Sequence, residues 1–249
     1  MYRVREIFET FQGEGARAGE QSTFVRFSGC NLWSGLPDKR DKGKGSCATW
    51  CDTDFASGKV YTLTDLLIEM RTVLLRQYGR WPRDSEKKPW CVLTGGEPAL
   101  QIDKKLISNL HKDGWMVSVE TNGSISNPAI DDIDWVTVSP KLNKDGTVPS
   151  IAVKRGSELK VILPGFSDPS CGWSDSRLSN LERITDFEHY FVQPQDPIDP
   201  NLLNVSYLVG SLASKKQTYS NNQDLCASFV HRNPAWSVSL QTHKMRGIR

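Results

Sequence analysis

The chain has 249 residues, 28.0 kDa and 38% hydrophobic content, enough to bury a sizeable core as one domain. Its formal net charge of +2 gives no sign of electrostatic capture of nucleic acid, and no apolar run approaches the ~18 residues of a membrane span. Residues 1–9 are charged and lack the apolar centre of a signal peptide, so the six cysteines point to reduced thiols in a cytoplasmic protein, not to a disulfide framework.

Along the chain, short apolar runs alternate with amphipathic stretches, the pattern of parallel strands joined by crossover helices. Strands are expected at residues 22–27, 90–94, 115–120, 135–139, 158–163, 189–193 and 236–241. A helix over 63–77 would place Leu66, Leu67, Met70, Val73 and Leu74 on one face. A second, over 100–112, would do the same with Ile102, Leu106, Ile107 and Leu110 before stopping at Gly114. Residues 79–89 and 165–176 are rich in Gly, Pro and Ser and suit surface insertions, while 201–231 suits two helices broken around residues 220–222. No repeat or linker divides the chain, so one α/β domain spanning 1–249 is expected.

Cys30, Cys47 and Cys51 stand together in a chain with no histidine before His111. Three thiolates can hold three irons of a 4Fe-4S cube and leave the fourth open to a small molecule. A structural zinc site is the competing reading, because Cys47 and Cys51 pass as half of a ligand set. Cys91, His111 or a later residue would then have to complete it. Unrelated thiols are the third reading, and Cys91, Cys171 and Cys226 suit small buried apolar positions.

Polar turn clusters follow the carboxyl ends of five expected strands, at residues 94–98, 120–123, 139–141, 193–196 and 241–244. In parallel α/β folds ligands bind at that edge. Any one cluster is explained by the need for a turn, but five together favour a shared pocket. Gly95 and Gly96 let backbone approach a ligand, and Glu97 beside them could pair with an ammonium group, as on S-adenosylmethionine (SAM); the bland reading is a tight turn with Glu97 capping a helix.

Glu6-Ile7-Phe8, Gln12 to Gly15, Phe24 to Phe27, Gly29 to Gly35, Cys51 to Phe55, the Gly95 to Pro98 turn, Glu120 to Gly123, Ser139 to Lys141 and Gln241 to Lys244 together resemble the 7-carboxy-7-deazaguanine synthases, which are radical SAM enzymes. The resemblance covers nearly the whole chain. It implies a partial (β/α) barrel of about six parallel strands with a cluster-binding insertion at about residues 30–58, assembled as a homodimer. The implied enzyme is a carbon–nitrogen lyase. It turns 6-carboxy-5,6,7,8-tetrahydropterin into 7-carboxy-7-deazaguanine plus ammonia, in the deazapurine chemistry that feeds queuosine in transfer RNA or modified bases in DNA. A flavodoxin-type donor would supply the electron that cleaves SAM, and the 5'-deoxyadenosyl radical would take hydrogen from C6 of the pterin before ring contraction.

The same resemblance assigns roles by motif position. Cys30, Cys47 and Cys51 would bind the cluster, and Gly96, Glu97, Ser139, Pro140, Lys141, Gln193, Pro194, Gln195 and Asp196 would hold SAM. Phe11, Gln12, Gly13, Glu14, Arg26, Thr94, His243 and the terminal Arg249 would meet the substrate. Thr53, between Asp52 and Asp54, would ligate Mg²⁺. Without the family, Arg26 suits an alternating exposed strand position, His243 a satisfied imidazole and Thr53 a capping turn. This chain departs from the family pattern in placing three residues between Cys47 and Cys51 where relatives have two, after a basic insertion at 39–45, and in ending on arginine. A radical SAM enzyme that makes a glycyl radical on a partner protein, and a zinc-stabilised binding module, are the alternatives.

Overall fold

The computed structural model describes residues 1–36, 47–48, 51, 53–82, 87–165, 172–196 and 208–247. At the amino terminus, Tyr2 and Val4 are buried while Arg3 and Arg5 between them are exposed, the period-two pattern of a strand with one covered face. That strand, β1 (Tyr2–Phe11), was hidden in the sequence by its charges. It pairs antiparallel with β2 (Gln21–Phe27) on one side and with the short β3 (Lys59–Tyr61) on the other. From β2 onward every neighbour is parallel: β4 (Trp90–Gly95), β5 (Met116–Thr121), β6 (Trp135–Val138), β7 (Arg155–Leu163), β8 (Asp186–Pro194) and β9 (Trp236–Val238). The result is one nine-stranded sheet in the order β3-β1-β2-β4-β5-β6-β7-β8-β9. Seven of its strands, at the seven expected positions, run parallel, and among the described residues the two ends of the sheet do not pair.

Helices cover one face. In α1 (Leu63–Tyr78) the expected stripe is buried through Leu66, Met70 and Leu74, and Thr62 caps its start by accepting from the Asp65 amide at 3.1 Å. The second helix starts later than its periodicity suggests. Pro98–Leu100 forms a single 3₁₀ turn, and Asp103 then resets the chain by accepting from the Leu106 amide at 2.7 Å, so that α2 covers Lys104–Lys112. Residues 174–184 bring a helix the sequence reading missed: Ser174 caps α3 (Asp175–Ile184), which buries Leu178 and Leu181. The expected break at 220–222 is absent, and α4 (Leu208–Arg232) is continuous there. Its amides find partners without interrupting the helix: Asn221 accepts from Gln217, and Asn222 donates to the Gln195 carbonyl at 2.7 Å. A last short helix, α5 (Thr242–Arg246), closes the described chain.

Val25, Phe27, Leu93, Val117, Val119, Val138, Leu159, Val161 and Val192 point to the helices and form one continuous core with Leu66, Met70, Leu106, Ile107 and Leu110. The alternate residues of the same strands face the other way, and where they reach the cavity they are mostly polar, as at Arg26, Thr94, Glu120, Thr137, Lys160 and Gln193, with Phe24 and Ile162 between them. Leu106→Ala is expected to lower unfolding free energy by about 2–5 kcal/mol, against within about 0.5 kcal/mol for the exposed Ile68→Ala. Denaturant titrations compare them, and equal losses would contradict this placement of the core.

Candidate active site

Residues from β1, β2, β4, β5, β6, β7 and β8 all line one cavity of about 320 Å³, so the sheet curves around it. Period-two alternation supplies its wall: Phe24 and Arg26 from β2, Thr94 from β4, Glu120 from β5, Thr137 from β6, Lys160 and Ile162 from β7 and Gln193 from β8. The open edge between β1 and β9 is bridged by the loop after β1. Gly13 accepts from the Thr242 amide at 3.0 Å, and the Gly15 amide donates to Ser239 Oγ at 2.9 Å. Members of all five expected polar clusters reach this cavity.

Two hydrogen-bonded groups organise the wall. Glu120 accepts from Gln12 Nε2 at 2.9 Å and from Thr94 Oγ1 at 3.1 Å. Glu14 pairs with Lys160 and accepts from Gln241 Nε2 at 2.7 Å and Gln193 Nε2 at 3.2 Å. Burial alone would raise the Glu14 carboxyl, but the Lys160 ammonium, with Gln241 and His243, brings it down to about 2. Arg26 gives its Nε–H to Glu6 at 2.8 Å, which orients the guanidinium, and reaches Thr53 Oγ1 at 3.4 Å. His243 packs directly on Gly13, where a Cβ would fall 1.9 Å from its Nδ1.

At the carboxyl edge, Gly95 takes φ 124°, and a Cβ there would lie 2.2 Å from the Phe27 carbonyl oxygen. Gly96 is equally constrained, with the Gly29 carbonyl oxygen 2.0 Å from any added Cβ, which lays the turn directly against the backbone leading into Cys30. Residues 47–48 are stitched to both sides of this edge: the Cys47 amide donates to the Leu32 carbonyl at 3.5 Å and the Ala48 amide to that of Leu142 at 2.8 Å. Cys51 lies on the cavity wall, and Cys30, Cys47 and Cys51 are all free thiols. Burial lowers the Lys141 ammonium, while Cys47 and Cys51 are close enough to oppose that shift. Among the described residues no three His, Cys, Asp or Glu side chains converge on one point as a single ion's ligand shell would require. A cubane asks something else, one thiolate for each of three irons, and three sulfur donors at a glycine-lined cavity edge fit that chemistry.

The comparisons with known proteins agree with one another. A 7-carboxy-7-deazaguanine synthase of Burkholderia multivorans is 36% identical over 252 residues, covering 99% of this chain and 99% of that protein. One from Nitratidesulfovibrio vulgaris is 37% identical over 254 residues, again with 99% of each chain covered. The chain belongs to the 7-carboxy-7-deazaguanine synthase family. The crystal structure of QueE from Escherichia coli has the same fold, with a TM-score of 0.64 and 24% identity over 97% of this chain and 94% of that one. No protein-family model matches the chain. Family membership separates this protein from zinc-stabilised binding modules and glycyl-radical activating enzymes.

Several residues expected at the family's site stand behind the cavity wall. Glu97 is fully buried, and its carboxylate accepts from the Ala99 amide at 2.9 Å, Thr121 Oγ1 at 2.6 Å and the Asn122 amide at 2.8 Å. Burial raises its carboxyl, and those three donors and Lys141 pull the other way. Its observed work is the turn-capping that the bland reading assigns it. Gln195 accepts from the Gly165 amide at 3.1 Å, and Asp196 meets Lys244 at 2.8 Å on the rim. Pro140 and Pro194 are buried in the strand ends. Arg249 and Asp52 lie outside the described residues, as do the 39–45 insertion and Cys171.

Sequence reasoning missed Lys160, Thr137 and Ile162 and gave no role to Glu120 and Gln241, although it placed those two in the expected turn clusters; all five line the cavity. Lys160 carries a signal, since a lysine between Leu159 and Val161 inside a strand demands a buried partner. Glu97→Ala would leave those three donors unsatisfied and is expected to destabilise the fold by about 3 kcal/mol. Thermal or denaturant unfolding checks this; unchanged stability would contradict the capping role.

Proposed function

We propose that this chain converts 6-carboxy-5,6,7,8-tetrahydropterin to 7-carboxy-7-deazaguanine with release of ammonia, in deazapurine biosynthesis. The supporting observation is full-length kinship to enzymes of that name, joined to a cavity whose donors and acceptors suit a bicyclic acid. Cys30, Cys47 and Cys51 would hold the cluster, and Gly96, Glu97, Ser139, Pro140, Lys141, Gln193, Pro194, Gln195 and Asp196 would form the SAM site, with Gly96, Ser139, Lys141 and Gln193 on the cavity wall. Bound there, the cluster and SAM supply a carbon-centred radical able to take the hydrogen from C6.

The chain's own residues bind and orient. Arg26 meets the ligand carboxylate with a guanidinium already aligned by Glu6. Gln12, whose amide is fixed by donating to Glu120 at 2.9 Å and accepting from the Glu14 amide at 3.1 Å, offers the remaining acceptor position of its oxygen to the ring edge. Thr94 and His243 close the sides, and Phe8 stacked on Phe24 at 5.3 Å gives the ring an apolar floor. Thr53, beside Arg26, is the proposed oxygen ligand for Mg²⁺, which would add positive charge near the substrate carboxylate. Phe11, Gly13, Glu14 and Arg249 complete the proposed substrate set. The domain is read as one unit over 1–249 with the cluster segment at about 30–58, working as a cytoplasmic homodimer with a flavodoxin-type donor. Among the described residues no helix is long and apolar enough to cross a membrane.

Anaerobic incubation with the carboxypterin, SAM, Mg²⁺ and a reductant tests the reading. Deazaguanine and ammonia should form in equal amounts, and absence of both would refute it. Cys47→Ala should lose cluster iron and activity; an active, iron-loaded variant would show that another ligand serves. Arg26→Ala should raise KM by roughly 30-fold, as expected for about 2 kcal/mol of charge-assisted bonding. An unchanged KM would remove Arg26 from the substrate's carboxylate.

A further inference from the structure

Glu14 sits in the loop after β1, yet its carboxylate is gripped from three other parts of the sheet. Lys160 of β7 meets Oε2, while Gln193 of β8 and Gln241 beyond β9 both donate to Oε1. The Gln193 amide cannot turn over to do otherwise, because its oxygen accepts from Ser239 Oγ at 2.9 Å, and that hydroxyl accepts in turn from the Gly15 amide. A carboxylate offers about four acceptor positions. Among the described residues, two are used on Oε1 and one on Oε2, which leaves an acceptor on a side chain that lines the cavity. Lys160 lines the same cavity but is only 5% exposed, so its ammonium is spent on Glu14 and not on solvent.

We propose that Lys160 is a positioning residue for substrate recognition: its ammonium pins Glu14 as a hydrogen-bond acceptor on the cavity wall, matched to a ligand edge that presents N–H groups. The ligand identity rests on the function proposed above, a carboxypterin whose pyrimidine ring carries adjacent N–H donors. The role of the pair does not. Burial works to protonate Glu14, and Lys160 is the foremost influence against it. Without the lysine, burial prevails, Glu14 takes up a proton as pH falls towards neutrality, and the site offers a hydrogen where the ligand also offers one. Other charged groups face the pair: His243 from α5, Lys141 after β6, and Glu120 and Glu158 from β5 and β7. All of them are present in the wild-type profile, so the difference between wild type and variant isolates the lysine. With Glu120 and Glu158 both favouring a proton nearby, the loss of Lys160 leaves the wall more acidic and strengthens the shift.

The test uses cluster-loaded, SAM-bound enzyme without reductant, so that carboxypterin binds and does not turn over. Affinity is measured by calorimetry between about pH 6 and 9 for wild type, Lys160→Met, Lys160→Arg and the double variant Glu14→Gln/Lys160→Met. Lys160→Met should bind roughly tenfold or more weakly near neutrality and recover as pH rises. Lys160→Arg should keep the wild-type profile, and the double variant should lose the recovery. In turnover assays the Lys160→Met defect should fall on KM and leave kcat within a few-fold at high pH. Carboxyl-region ¹³C NMR, with Glu14 identified by its absence in Glu14→Gln, supplies a readout that needs no ligand. Glu14 should stay ionised throughout in wild type and titrate within the range in Lys160→Met. A Lys160→Met protein with the wild-type profile, or with a pH-independent loss that Lys160→Arg does not repair, overturns the proposal. Wild-type enzyme that binds no carboxypterin refutes the proposed function instead, and the NMR titration then decides the role of Lys160 by itself.

Discussion

Buried polar groups on the inner face of a curved sheet have little water to turn to, so they must satisfy one another, and that constraint organises this molecule. Most inner strand positions at the cavity place a hydroxyl, amide or charge where an unpaired group would cost about 1–3 kcal/mol. Glu158 shows the outcome: it accepts from Thr137 Oγ1 at 2.8 Å and from the Ala16 amide at 3.0 Å, so that a strand side chain captures the loop after β1. Gly15 is tied to the same spot, since a Cβ there would fall 2.4 Å from Glu158 Oε1. Arg17 is the exception: its Nε–H goes to Glu20 and its guanidinium lies 3.4 Å above the centre of the Trp90 ring, while its two terminal nitrogens are buried without a hydrogen-bond partner among the described residues and rely on that ring. The loop is thereby a part of the interior, and Gln12 and Glu14 are fixed to within the tolerance of a hydrogen bond.

This arrangement divides the labour of the site between two ends. The carboxyl edge is built from backbone, with Gly95 and Gly96 packed against Phe27 and Gly29, and the segments carrying Cys30 and Cys47 held by main-chain hydrogen bonds. Close backbone packing suits a place where a cluster and a nucleoside must share a small volume. The deeper wall is built from side chains in mutually fixed orientations, which suits recognition of a ring through its hydrogen-bonding edges. Preorganised networks of this kind are costly to leave half-satisfied, so substitution within them is expected to propagate to their partners.

The legible part of the sequence was the outward-facing part. The apolar run Trp90 to Leu93 is covered on both faces of its strand, with Cys91 and Leu93 towards the helices, and it and the spacing of Leu66, Met70 and Leu74 are local patterns. The cysteine grouping and the turn clusters were visible for the same reason, because residue type and short spacing carry them. What escaped depends on distant partners. β1 alternates charge with apolar residues and acquires meaning only against β2 and β3. Lys160 and Glu14 are separated by 146 positions, and no periodicity links them. Glu97 adjoins two glycines in the sequence, but the partners its carboxylate holds, Thr121 and Asn122, come from the next strand end. Tertiary hydrogen bonding also overrode local expectation at 220–222, where Asn222 is used by Gln195 and the helix continues.

On the function proposed here, Cys30, Cys47 and Cys51 would hold the cluster and leave it able to take SAM beside the chamber lined by Arg26, Glu14 and Glu120. The most direct measurement is electron–nuclear double resonance on the reduced, cluster-loaded protein with SAM labelled by ¹⁵N at its amino group. Coupling between that nitrogen and the cluster, lost in Cys51→Ala, is the predicted result. A cluster that shows no coupling to bound SAM, or four protein ligands by spectroscopy, would contradict the account.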